Sequence, residues 1–246
     1  MKQLILHIPH SSSEIPLLDG YVTSHNKIQQ EIIKLTDWYT DDLFDSQVDD
    51  KIITPFSRIF CDVERFVDDE LEIMSKVGMG VLYKKLDSDE LLRKVSPELR
   101  DKILKEYYWK HHDSLTTKVE DQIKINGECL IVDCHSFPST PLLKAINQNI
   151  NRPDFNIGTD SFHTPEKYIE TSNTYFENLG YSLGVDWPYS GSIVPMKYYQ
   201  KEKRVSSIML EINRRLYLNE PSNEKSIDYK KTKEVVLGYL NLLRTI

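Results

Sequence analysis

Three stretches of this sequence run from apolar residues straight into residues that do chemistry. "HIPHSSSEIP" carries His10, "CLIVDCHSFP" carries Asp133, Cys134, His135 and Ser136 behind the apolar run Cys129 to Val132, and "LEINRRLY" carries Glu211 behind "SSIML". A carboxylate, thiol, imidazole or hydroxyl at the end of a buried strand needs water or a partner. His10, His135 and Glu211 each leave a strand at its carboxyl end, which is where open α/β sheets bind ligands. Histidines and carboxylates at long spacing are the ligand supply of a catalytic zinc site, where three protein donors leave one position open for water. Asp133, next but one to His135, suits a positioning role behind that histidine. Taken singly, each histidine reads more readily as a hydrogen-bonded structural residue, and "RIFCDVER" reads as an amphipathic edge strand with Arg58 and Arg65 in water. Convergence of the three strand ends favours the site, and an acid at Glu211, where burial is expected, calls for a function or a partner.

The elements that must position these residues alternate along the chain. Lys2 to Ile8 reads as a strand closed by Pro9, and "DKIITPF" and "GVLYKK" read as further strands. Residues 26 to 45 carry a helical period with a break near Asp37. Ser96-Pro97-Glu98 is a helix start, an N-cap followed by proline at the first helical position, and that helix runs to about Lys124. Residues 151 to 160 read as loop then strand, residues 165 to 178 as a helix stopped by Gly180, "YSLGVDWP" and "SSIMLEIN" as strands, and residues 228 to 244 as a closing amphipathic helix. Strands alternating with helices predict an α/β fold with a largely parallel sheet covered on both faces, a single domain over residues 1 to 246.

Composition narrows the partners. With 39% hydrophobic residues in 246, the chain can bury a full core. Thirty-one Lys and Arg against 38 Asp and Glu give a net charge of −7 with no basic block, which disfavours nucleic acid and anionic membranes and favours a small molecule. Cys61, Cys129 and Cys134 form no CxxC pair, the usage of a reducing compartment, and "MKQLILHIPH" is too short in apolar residues for a signal segment or a membrane span. The expected location is cytoplasmic.

In order, "IPHSSSEIP", "TDWYTDDLF", "SRIFCDVER", "DCHSF", "WPYSGS" and "LEINRRLY" resemble the motifs of the N-formylglutamate amidohydrolase family across about residues 5 to 218. The resemblance implies a metal-dependent amide hydrolase with a fold like the zinc carboxypeptidases, a mixed central sheet flanked by helices. Carried over by motif, His10, Asp37 and His135 would hold Zn²⁺ or another divalent metal, with Glu14 competing with Asp37 for the third place, and Glu211 would be the general base. The substrate so implied is an acidic N-acyl amino acid. Arg58, Arg65 and Arg214 offer planar forks for its carboxylates, while Tyr189 and Ser190 of the "WPYSGS" turn line its acyl end. Two positions depart from the family pattern. Ser12 stands where glycine is usual, and Glu64 stands where asparagine is usual, putting a negative charge beside Arg65 that is expected to weaken its hold on a carboxylate.

Two other classes compete. Cys134 suggests a thiol hydrolase, but its neighbours Asp133 and His135 point to the opposite face of an extended strand. The other is a binding protein for acidic small molecules that keeps the cleft without the chemistry.

Overall fold

In chain order, the computed structural model, which describes residues 2–220 and 222–246, contains β1 (Ile5–Ile8), α1 (His25–Leu35), α2 (Thr40–Leu43), β2 (Asp50–Ile53), α3 (Pro97–Ile103), α4 (Trp109–Asn126) and β3 (Cys129–Phe137). It continues with β4 (Phe155–Gly158), α5 (Glu166–Asn178), β5 (Leu183–Val185), β6 (Val205–Asn213) and α6 (Tyr229–Leu243). These six strands form one sheet in the order β2-β1-β3-β6-β4-β5, and Leu218–Asn219 pairs with Glu224–Lys225 in a separate two-stranded ribbon. Every neighbouring pair is parallel except β4 with β6, so the sheet is mixed but mostly parallel. The antiparallel placing of β4 could not be read from the sequence, because the pattern of a short buried strand carries no direction.

All nine residues of β3 are buried, as the near-continuous apolar run of a central parallel strand requires. Alternation splits its side chains between two cores. Leu130, Val132 and Cys134 face α5 and α6, packing with Phe176, Val236 and Leu240. Cys129 and Ile131 face α4, packing with Leu115 and Val119. Asp133 and His135 share the parity of Ile131, so they emerge on the α4 side of the sheet; Cys134 is turned to the opposite core, where its Sγ lies 3.2 Å from the Val132 carbonyl. The thiol is fully buried and away from the histidines, which removes the thiol-hydrolase alternative.

The helix break expected near Asp37 is present. Residues 36 to 39 separate α1 from α2, with Tyr39 in the left-handed region at φ 62°. Asp37 N–H donates to the His10 carbonyl at 2.9 Å, which ties this break to the end of β1. Ser96 caps α3 by accepting from Leu99 N–H, with Pro97 at its start, and a five-residue π-helical segment, Leu104–Tyr108, joins α3 to α4. Such segments redirect a helix face at functional sites, and this one precedes His111 and His112.

Two expected strands are absent. "GVLYKK" is a loop whose Val81, Leu82 and Tyr83 are all buried, so its apolar run reports burial on every side rather than alternation. "RIFCDVER" folds as consecutive turns, with Phe60 N–H bonded to the Ser57 carbonyl and Arg65 N–H to the Asp62 carbonyl. The turns bring Arg58, Asp62 and Arg65 together, which a strand would not.

Candidate active site

Three strand ends meet. Pro9 stops β1 and leaves His10 beside Asp37, while His135 in β3 pairs in parallel register with Glu211 in β6. His10, Asp37 and His135 are buried, and their donor atoms all lie within 4.8 Å of one another. The Asp37 carboxylate stands 3.2 Å from His135 Nδ1 and 3.7 Å from His10 Nδ1. Glu14, the rival for the third place, has an exposed side chain and is not in this group.

Each member has a partner behind it. His10 Nε2 bonds Asp62 Oδ1 at 2.9 Å, and Asp62 Oδ2 accepts from both Nε and Nη2 of Arg58 (3.2 and 3.0 Å) and from the Tyr83 hydroxyl (2.9 Å). Burial alone would raise the Asp62 carboxyl, but Arg58, His10 and Arg65 outweigh it and hold it well below the usual carboxylate range. His135 Nε2 lies 3.1 Å from Oδ1 of Asp133, the acid two residues before it in "DCHS". Arg214 donates to Asp37 Oδ1 at 3.0 Å, to the Lys34 carbonyl at 2.7 Å and to Ser136 Oγ at 3.3 Å. All three of its guanidinium nitrogens are engaged in these bonds.

The group suits a divalent cation. His10 Nδ1 is buried without a hydrogen-bond partner while its Nε2 is fixed by Asp62, the arrangement of a ligand histidine and the carboxylate behind it. Two imidazoles and one carboxylate match a catalytic zinc donor set. Next to them Glu211 Oε2 is also buried and unpartnered. Burial pushes the Glu211 carboxyl up to about 7; the Asp37 and Glu64 charges add to this, and His135 and Arg58 oppose it.

The surrounding cleft, of about 400 Å³, is lined by Arg58, Arg65, Tyr189, Ser190, Glu211 and Arg214 among others. Arg65 Nε has no hydrogen-bond partner. Tyr189 is held in place twice: Arg152 donates to its hydroxyl at 3.1 Å, and Asn156 Nδ2, from the residue paired with Glu211, donates to its carbonyl at 2.9 Å. Glu64 does not neutralise Arg65 as expected. Its carboxylate turns inward, 3.2 Å from His135 Nε2, 3.6 Å from His7 Nδ1 and 3.8 Å from His10 Nδ1.

Sequence reasoning missed His7, Asp62 and His111. Asp62 lay inside a motif already singled out, between its two arginines, and His7 lies three residues before His10, so both carried a signal. His111, on α4, carried none. It reaches His7 only through the packing of α4 on the sheet, Nε2 to Nε2 at 2.8 Å.

Buried histidines, carboxylates and arginines gather at the carboxyl edge of an α/β sheet, with an unpaired acid beside a three-donor group, an arrangement suited to hydrolytic chemistry. The sequence profile of the N-formylglutamate amidohydrolases matches residues 2–218, and the chain belongs to that family. Its fold is similar to that of a crystal structure described as N-formylglutamate amidohydrolase from Ralstonia eutropha JMP134, at 20% identity and a TM-score of 0.85, covering 100% of this chain and 95% of that one. A gene product of Agrobacterium tumefaciens is similar at 15% identity and a TM-score of 0.65, covering 98% of this chain and 91% of that one. No curated protein matches the sequence. No helix among the described residues is long and apolar enough to cross a membrane.

Proposed function

We propose that the protein hydrolyses the amide bond of an N-acyl amino acid, with N-formylglutamate as the first candidate, using a divalent cation held by His10, Asp37 and His135. The observation that carries this reading is the buried, unpaired Glu211 beside that three-donor group in an arginine-lined cleft. A bound zinc ion would supply Lewis acidity, bringing the pKa of water from 15.7 down to about 7 and polarising an acyl carbonyl. Glu211 Oε2 takes the proton of the attacking water as the new C–O bond forms. It then returns that proton to the amide nitrogen as the C–N bond breaks, releasing the free amino acid and the acyl group as a carboxylic acid. Arg58 and Arg65 bind the substrate carboxylates. Tyr189 and Ser190 close the acyl end, and Asp133 and Arg214 hold His135 and Asp37 in position. The reading includes a cytoplasmic location, supported by three buried cysteines that are all unpaired.

Elemental analysis of the purified protein, with a screen of N-acyl amino acids for released amine, tests the proposal. Absence of amine release from every substrate by the metal-loaded protein would leave a binding protein in its place. His10→Ala and His135→Ala are each expected to lower bound metal, and full metal occupancy at His10, Asp37 and His135 in both variants would refute the ligand set. Arg58→Lys and Arg65→Lys are expected to reduce kcat/KM by an amount equivalent to about 1–3 kcal/mol through loss of the planar fork. Arg214→Lys should instead weaken the metal, since it loosens Asp37. Equal KM for the wild type and both Arg58 and Arg65 variants would reject the clamp.

A further inference from the structure

Glu64 has an unusual environment for a carboxylate next in sequence to an arginine. Within 4 Å its carboxylate meets three histidine nitrogens, and its side chain is 17% exposed. Beyond His10 and His135, the third is His7, whose Nδ1 also lies 2.7 Å from Asp133 Oδ1. We propose that His7, Glu64 and Asp133 form a second divalent-cation site in this chain, separate from the His10, Asp37 and His135 group.

The donor atoms of His7, Glu64 and Asp133 all lie within 4.8 Å of one another, as tightly gathered as those of the first group. A tetrahedral cation with bonds of about 2.0–2.2 Å sets its donors roughly 3.3–3.6 Å apart. His7 Nδ1 and Glu64 Oε1 are already 3.6 Å apart, and the His7–Asp133 pair at 2.7 Å needs to open by only about 0.6 Å to reach that spacing. One imidazole and two carboxylates suit first-row divalent cations such as Zn²⁺ or Co²⁺.

Two carboxylates crowd one imidazole nitrogen in this cluster. The His135 Nε2 proton faces Asp133 at 3.1 Å and Glu64 at 3.2 Å and cannot satisfy both well. A cation on His7 Nδ1 fits what lies behind that ring. His7 Nε2–H then donates to His111 Nε2 at 2.8 Å, and His111 Nδ1–H donates to Thr54 Oγ1 at 3.2 Å. An acceptor fixing the far nitrogen of a ligand histidine is the support that Asp62 gives His10 in the first group.

The second site has its own approach. Glu64 and Asp133 line a further cavity of about 350 Å³ with Phe66, Tyr108, Ser192 and Met196, and it meets the first cleft at Glu64, Arg65, Ser190 and Met209.

The test is cation stoichiometry, which does not depend on turnover. Apoprotein is titrated with Co²⁺ by calorimetry and visible absorption, and zinc is counted after equilibrium dialysis. The wild type should take up two equivalents, and His10→Ala, Glu64→Gln and His7→Gln should each take up one. Glu64→Gln is the primary variant because it keeps side-chain volume at a partly exposed turn, and melting curves of the apoproteins confirm folding. A single equivalent in the wild type overturns the proposal, as does retention of two equivalents in Glu64→Gln. Loss of the first equivalent alone, in His10→Ala, with the second intact supports it even if no N-acyl amino acid is turned over.

Discussion

Glu211→Gln is expected to keep its fold and its metal while kcat falls by roughly 10²–10⁴, the usual worth of general acid–base catalysis. The substitution preserves shape and hydrogen-bonding capacity and removes only the proton acceptor. Glu211 lies outside the three-donor group, so the first cation should remain. Its Oε2 has no partner, so replacing the carboxylate breaks no hydrogen bond there. A structural role would lower the melting temperature and leave turnover per folded molecule unchanged, and a ligand role would remove metal together with activity. Zinc content, melting temperature and amide hydrolysis measured on one preparation separate the three. Near-wild-type turnover with metal bound would end the mechanism.

Asp62→Asn should have the largest effect on stability. The carboxylate is completely buried and takes bonds from His10, Arg58 and Tyr83, with Arg65 at 3.6 Å. Removing its charge leaves two guanidiniums facing each other without their counter-ion, a change that costs on the order of 3–5 kcal/mol when one partner of a buried pair is lost. The two arginine side chains are 17% and 25% exposed, which places the expected loss near the lower end. Cation affinity should fall by about 10–100-fold as well, because His10 loses the carboxylate that orients it. Urea unfolding and a cation titration of the same variant check both parts, and a stability change within about 0.5 kcal/mol would show that Asp62 is not the electrostatic centre of this turn.

The parts of this molecule legible in the sequence are those fixed by local pattern. The apolar runs of β1, β3 and β6, the Ser96-Pro97 helix start and the interruption at Asp37 each have a local cause, and each appears where expected. So does the approach of His10, Asp37 and His135, because the family motifs preserve order. What escaped depends on neighbours far along the chain. The direction of β4 is set by its pairing with β6, and the conformation of "GVLYKK" is set by packing on all sides. The bond from Arg214 to Asp37, 177 residues earlier, has no local signal either. The inward turn of Glu64 has the same origin: it faces histidines brought together by β1 and β3, which no local window contains.

The sheet order also has a consequence for synthesis. β1 is an interior strand flanked by β2 and β3, yet its second partner is far downstream, as the pairing of His7 with Asp133 across 126 residues shows. At about 5–20 residues per second, a ribosome needs roughly 6–25 s to cover that interval. During it β1 and β2 have only each other, with one edge of β1 and its apolar faces uncovered. The nascent chain therefore waits in a state open to wrong pairing, and neither histidine group can close around a cation until β3 has been made.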